Sequence, residues 1–242
     1  AERQGVSFQP PDRIVTVGEL PDLLIETERP AASDVAQRLA WIESLRGAAH
    51  HTLVELVPDP PEADDLLGWS AVAEMMQALH RELAGEGLSF AAAAERVETL
   101  AVAEEGPRWA AAAAVQQAYL DRLSGQGLDD PQFARLEAAR EGRCRTEHEL
   151  VLIAAADMPA VLRQMLEHVS ERVTALVFAP ESLADRFDEL GCLRTESWRS
   201  SELEIPEDRV SVVMSAADQA DVALADLESL DGEYPAEQIT IG

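Results

Sequence analysis

The sequence predicts an α/β fold in which both ends of the chain build one parallel β-sheet and an all-helical subdomain is inserted between them. Two patterns support this fold class. Short β-branched runs alternate with amphipathic segments near both ends, as expected for strands joined by crossover helices. The middle of the chain instead shows helical spacing of apolar residues. The predicted domains are 1–60 and 147–242, the two parts of the α/β core, and 61–146, the helical insert.

The first part of the core is predicted to hold two strands and a helix. A β-branched run predicts the first strand at 13–17, and a second run predicts another at 51–57. Between them, Ser33 or Asp34 is placed to cap a helix. The apolar stripe that this helix would bury is Val35, Leu39, Ile42 and Leu45.

The insert is predicted to be a bundle of four helices with short connections. The first carries apolar residues at helical spacing from Trp69 onwards. Ser89 is the expected cap of the second, and Pro107 opens the third in its first turn, where a missing N–H costs nothing. Asp130 is the expected cap of the fourth, which Gly142 ends.

The second part of the core is predicted to alternate between strands and helices, which favours a parallel sheet. The expected strands are 150–155, 173–178, 209–214 and 238–241, with a possible edge strand at 202–205. The expected helices are 159–169, 182–190 and 217–230.

The charge composition excludes several function classes. All 19 basic residues are arginine, against 46 acidic residues, which gives a net charge of −27. A complete Walker A phosphate loop requires a lysine, and so does an enzyme that forms a Schiff base with its substrate. The absence of lysine therefore excludes both. So negative a surface also repels phosphate backbones and anionic membranes, so direct binding of nucleic acid is not expected.

The location of the protein follows from its cysteines and its hydropathy. Cys144 and Cys192 form neither a metal-binding spacing nor a disulfide framework, which favours a reducing cytoplasm. No apolar run approaches the roughly 20 residues that a membrane helix needs. The chain begins with Ala1 in place of Met and stops inside a predicted strand, so we expect it to be a piece of a longer protein.

Four acidic residues stand at the carboxyl ends of predicted strands: Glu19, Asp157, Glu181 and Asp218. Ligands bind at this edge of an open parallel sheet, and carboxylate oxygens suit a divalent cation. These residues are therefore candidate metal ligands. The alternative is that these acidic residues only cap, or stabilise by their negative charge, the N-termini of the helices that follow them. Asp157 also ends a Walker B-like strand, but Met158 stands where the catalytic glutamate normally follows.

Arg140, Arg143 and Arg145 form the one basic cluster of the sequence and are candidate contacts to a phosphate backbone. The alternative is that they pair with the acidic residues around them, namely Glu137, Glu141, Glu147 and Glu149.

Several segments resemble the AddB-like subunits of bacterial ATP-dependent helicase–nucleases. The clearest is 13–24, RIVTVGELPDLL, and the others are 119–120, 127–130, 150–157, 216–220 and 238–242. The resemblance implies a P-loop, helicase-like sheet with the helical subdomain inserted in its first motor domain. It places the phosphate loop upstream of residue 1 and the nuclease downstream of residue 242, and it implies a degenerate motor that binds no cofactor within this piece.

The resulting functional hypothesis is a non-catalytic, helicase-like part of a DNA double-strand-break repair subunit that scaffolds its neighbours and handles a DNA strand. Its implied partners are the rest of its own polypeptide, a helicase–nuclease partner subunit, and DNA through the full-length protein, with no membrane. Whether the parent protein is an active enzyme stays open. One alternative is a metal-dependent hydrolase that uses the strand-end carboxylates, and a second is an acidic protein-interaction module.

Overall fold

A computed structural model describes residues 11, 13–99, 105–199, 206, 210–230, 232–235 and 238–240. The chain divides into two compact units, Ala1–Arg194 and Thr195–Gly242. In the described part of the first unit the α-helices are α1 (Asp34–Gly47), α2 (His50–Leu56), α3 (Leu66–Gly85), α4 (Phe90–Thr99), α5 (Gly106–Gly125), α6 (Pro131–Glu141) and α7 (Ala160–Glu167). The strands described there are β1 (Leu150–Ile153) and β2 (Val173–Leu176), and short 3-10 helices lie at Leu20–Leu23, Ser170–Arg172 and Glu181–Arg186.

Helices α1 to α5 form a bundle around an aromatic core. Trp41 of α1 stacks on Tyr119 of α5, with ring centroids 4.1 Å apart and an interplanar angle of 10°. Phe90 and His80 complete the cluster through tilted and edge-on contacts. Such large rings bury much apolar surface, and the Tyr119 hydroxyl and both His80 ring nitrogens have hydrogen-bond partners.

A second apolar cluster joins α6 and α7 to the sheet. Leu136 of α6 and Leu162, Met165 and Leu166 of α7 are almost completely buried, together with Leu24 before α1. Each fully buried leucine of this kind contributes roughly 1.5–3 kcal/mol relative to an exposed one. This cluster packs α6 against the 3-10 helix Leu20–Leu23 and the residues that follow it, and so helps to position the cleft described below.

The helix ends follow the capping residues of the sequence. The side chains of Ser33, Ser89 and Asp130 accept hydrogen bonds from the backbone N–H groups of Ala36, Ala92 and Phe133, respectively. Pro107 lies in the first turn of α5, and Gly142 ends α6 with a left-handed φ of 67°. These predictions for the helical segment are confirmed.

The predicted α/β sheet, in contrast, is wrong. The structure is mostly helical, and the only sheet in its described part has two strands. β1 and β2 are parallel, as predicted, with Val151 opposite Thr174 and Ile153 opposite Leu176. Helix α7 connects them, which is the expected crossover. A two-strand sheet with one exposed apolar face is not the P-loop, helicase-like architecture with an inserted helical subdomain.

Several segments that the sequence predicts as strands, and one that it predicts as a helix, have a different structure. Residues 51–56 of the run 51–57 belong to α2, because Leu53 and Leu56 at i, i+3 spacing bury one helical face against the bundle. Residues 13–17 and 210–214 form no described strand, and the 182–190 helix is a 3-10 turn at Glu181–Arg186. Residues 238–240 also form no described strand. The possible edge strand at 202–205 lies outside the described residues.

Helix α1 buries only the C-terminal half of its predicted apolar stripe, in which Leu45 is fully buried and Ile42 is half-buried against the core. Val35 and Leu39 are 69% and 55% exposed, whereas Gln37 and Trp41 are buried. The Gln37 amide donates to the carbonyl of Ala32 and accepts a hydrogen bond from Gln77 of α3. Because its polar groups are hydrogen-bonded, Gln37 can occupy the buried face.

The second unit contains helices α8 (Thr195–Arg199) and α9 (Ala216–Ser229) among its described residues. The Ser215 hydroxyl caps α9 by accepting a hydrogen bond from the N–H of Asp218. This helix matches the predicted 217–230. Across the described residues of both units, every helix is too short or too polar to cross a membrane.

Candidate binding cleft

A cleft in the described part of the first unit lies between the 25–29 segment, the C-terminal half of α5 and α6. Its volume is about 550 Å³. We call it the acidic cleft. Its apolar lining residues are Ile25, Leu120, Leu128, Phe133, Ala134 and Ala138, and its carboxyl groups belong to Glu26, Glu28, Asp121, Asp129, Asp130 and Glu137.

Backbone hydrogen bonds hold the 25–29 segment in place from its C-terminal side. The N–H of Asp129 donates to the carbonyl of Pro30 at 3.0 Å, and the N–H of Ala32 donates to the carbonyl of Asp129 at 2.8 Å. The turn between α5 and α6 reaches this position through Gly127, whose φ is 73°. These hydrogen bonds involve only main-chain atoms, so they hold one wall of the cleft independently of its side chains.

The floor of the cleft is apolar and partly open to solvent. Ile25, Leu120, Leu128 and Phe133 are each half-buried, so apolar surface remains accessible in all four. Glu26, Glu28, Asp121 and Glu137 are exposed around this floor. The cleft thus combines an apolar base with a negatively charged rim.

Two guanidinium groups offset part of this negative charge. The Arg29 Nε lies 3.1 Å from Asp129 Oδ1, and its Nη1 donates to Ser124 Oγ at 3.0 Å. Arg143 donates instead to Glu141, and that hydrogen bond raises the pKa of Arg143. The Asp130 side chain is enclosed in the core, and the five other carboxyl groups outnumber the two guanidinium groups, so the described lining is negative.

Asp130 connects the cleft to the aromatic core beneath it. It receives hydrogen bonds from Phe133 N at 2.7 Å, from the Tyr119 hydroxyl at 2.5 Å, and from His80 Nε2 at 2.9 Å. Gln116 fixes the histidine tautomer, because its Oε1 accepts from the N–H of Phe90 and its Nε2 must therefore donate to His80 Nδ1. We call Asp130, His80, Gln116, Tyr119 and Phe133 the Asp130 network.

Burial and hydrogen bonding act in opposite directions on this network. Burial alone would raise the pKa of Asp130, but the hydrogen bonds from His80, Tyr119 and the backbone of Phe133 hold its pKa below the usual value. Burial and the nearby Asp130 carboxylate raise the pKa of Tyr119 well above its usual range. The network therefore contains a carboxylate and a neutral phenol over a wide range of pH.

The four candidate metal ligands do not form a described metal site. Glu19 accepts hydrogen bonds from the N–H and hydroxyl of Thr16, both at 2.9 Å, and these lower its pKa. Asp157 and Glu181 are exposed, and Asp218 lies in the first turn of α9 in the second unit. Within the described residues, no three acidic, histidine or cysteine side chains are grouped so that they could hold a metal ion.

The three candidate DNA-contacting arginines make contacts within the protein. Arg140 donates to the carbonyl of Gly87 at 2.8 Å, and Arg143 pairs with Glu141. Arg145 donates to the carbonyls of Gly142 and Cys144 at 2.8 and 2.6 Å. These donors satisfy backbone groups near the end of α6 and its neighbours, and their charges lie beside several carboxylates.

Sequence reasoning did not find the acidic cleft, and it found only one residue of the network beneath it. Asp130 was recognised as a helix cap, but nothing in its spacing reveals His80, which is 50 positions away. The available signal was His80 itself, a titratable residue on an apolar helical face, which requires buried partners. The cleft brings together residues 25–29 with α5 and α6, so only packing can reveal it.

Comparison of the chain with models of protein families, with curated proteins and with solved structures gave no match.

Proposed function

We propose that this chain is an acidic protein-interaction module that binds a basic, partly apolar segment of another protein in the acidic cleft. The observation that carries this proposal is the accessible apolar floor surrounded by exposed carboxylates. Apolar side chains of a bound segment would cover Leu120 and Phe133, while its cationic groups would meet the rim. No catalytic group is required for this role.

The charge of the whole chain supports the same kind of partner. A net charge of −27 attracts cationic segments over distances beyond direct contact and speeds their association. The same charge repels phosphate backbones, and the exposed arginines at 140, 143 and 145 each donate to groups within the protein. A basic protein segment is therefore favoured over DNA as the direct ligand.

The resemblance to helicase–nuclease subunits remains a hypothesis about the parent protein. In that setting, the basic segment would come from the rest of the polypeptide or from the partner subunit, and DNA would be handled by the full assembly in the cytoplasm. The metal-dependent hydrolase is the weaker alternative, because its candidate ligands do not group within the described residues.

The test is a fluorescence-anisotropy titration of the whole chain against a short labelled peptide of alternating leucine and arginine. We expect saturable binding that weakens as salt is added, because exposed charge pairs are screened. A labelled single-stranded DNA oligonucleotide should not bind under the same conditions. The triple variant Glu28→Gln, Asp121→Asn, Glu137→Gln should bind the peptide more weakly, by about tenfold if each lost charge contributes roughly 0.5 kcal/mol.

A matched control separates the cleft from the overall charge. The triple variant Glu55→Gln, Glu95→Gln, Glu167→Gln removes the same number of charges from exposed positions on α2, α4 and α7, none of which lines the cleft. Its affinity should stay close to that of the unmodified chain. Equal weakening in both triple variants, or tight binding of the oligonucleotide, would contradict the proposal.

A further inference from the structure

Arg29 already places a guanidinium group inside the acidic cleft. Its side chain is 47% exposed, although its Nε faces Asp129 Oδ1 at 3.1 Å and its Nη1 donates to Ser124 Oγ at 3.0 Å. Two different nitrogens of one planar group are thus matched by two acceptors from the end of α5 and the turn that follows it. A lysine ammonium carries its three donors on a single nitrogen, so it does not present two nitrogens at the fixed planar spacing that these acceptors match.

We propose that the acidic cleft selects arginine over lysine in its partner, and that Arg29 occupies the arginine position until a partner displaces it. This inference rests on the proposed function. It specifies the side chain that the partner provides, and it means that Arg29 competes with the partner for the same position. The partner's guanidinium would take over the contacts to Asp129 and Ser124, while its apolar neighbours cover Leu120 and Phe133.

Displacement of Arg29 would leave the wall of the cleft intact. The segment is anchored through the backbone contacts of Pro30 and Ala32 with Asp129, which do not involve the arginine side chain. An ion pair this exposed contributes little to stability, so a second arginine can compete with it. Released Arg29 would lie near Glu26 and Glu28, which are exposed on the same segment.

The test compares the peptide of alternating leucine and arginine with its lysine counterpart on the unmodified chain and on Arg29→Gln. We expect Arg29→Gln to bind the arginine peptide about twofold to fivefold more tightly than the unmodified chain, since it frees the acceptors from one surface ion pair. The gain with the lysine peptide should be smaller, because one ammonium nitrogen cannot occupy both of the positions that the two guanidinium nitrogens take.

The control is Arg122→Gln, which changes the net charge equally. Arg122 is 40% exposed and pairs with Glu43 at 3.1 Å, away from the cleft. Equal gains in the two variants, or equal gains with both peptides, would overturn the self-competition and the arginine preference while leaving peptide binding in place. If neither peptide binds the unmodified chain or either variant, the proposed function fails and this inference fails with it.

Discussion

Asp130 is a buried carboxylate surrounded by donors from three segments of the chain. His80 approaches from α3, Tyr119 from α5 and the backbone of Phe133 from α6. A buried charge without such partners would be strongly unfavourable, so these donors are what allow Asp130 to remain ionised. The same residue also begins α6, and it therefore links the bundle core to the wall of the cleft.

The Tyr119→Phe variant tests this network through its pH dependence. At neutral pH we expect a free energy of unfolding lower by about 1.5–3 kcal/mol, because the charged Asp130 loses a donor. The pKa of Tyr119 is raised in the folded protein, so its contribution is complete below about pH 10, where an unfolded tyrosine titrates. As pH rises above that value, the contribution declines, and the two proteins should approach one another in stability.

Urea unfolding at a series of pH values measures this difference. Tyr234→Phe is the matched control, since Tyr234 is 51% exposed and should lose little stability at neutral pH. A gap between Tyr119→Phe and the unmodified chain that stays constant into strong alkali would show that the Tyr119 phenol is not held neutral by folding.

The sequence predicted the helix caps correctly but assigned one helical segment to a strand. The caps at Ser33, Ser89 and Asp130 were found from local pattern, because a capping side chain bonds to a backbone group only a few residues away. The strand at 51–57 was wrong because β-branched residues indicate a strand only if a partner strand is available. Here Leu53 and Leu56 gain more by packing as a helix against the bundle.

Gly142→Ala tests the end of α6. Neither Gly142 nor Gly125 has any atom within 4 Å of an added methyl group, but only Gly142 has a left-handed φ, of 67°. We expect Gly142→Ala to lower the free energy of unfolding by about 1–2 kcal/mol through backbone strain. Gly125→Ala, at the end of α5, should be neutral or stabilising by up to about 1 kcal/mol. Chemical denaturation of both variants measures the pair, and equal effects would contradict the role of the φ angle.

The net charge of −27 makes self-repulsion a property of the entire chain. Raising ionic strength from about 0.01 M to about 0.15 M shortens the Debye length from about 30 Å to about 8 Å. We therefore expect the Tm to rise by a few degrees with sodium chloride. The Glu55→Gln, Glu95→Gln, Glu167→Gln variant carries less repulsion and should show a smaller rise. A Tm that falls with salt would mean that attractive ion pairs outweigh the repulsion.

The sequence alone determined the helices from α3 to α6, their caps, the crossover between β1 and β2, and the strongly negative net charge. Each of these depends on residues close in the chain or on composition. Tertiary packing decided the rest: that α1 buries Gln37 and Trp41 and exposes Val35 and Leu39, that the sheet has only two described strands, and that residues 25–29 meet α5 and α6. These features depend on contacts between distant segments, whose free energies compete with local preference and leave no periodic pattern in the chain.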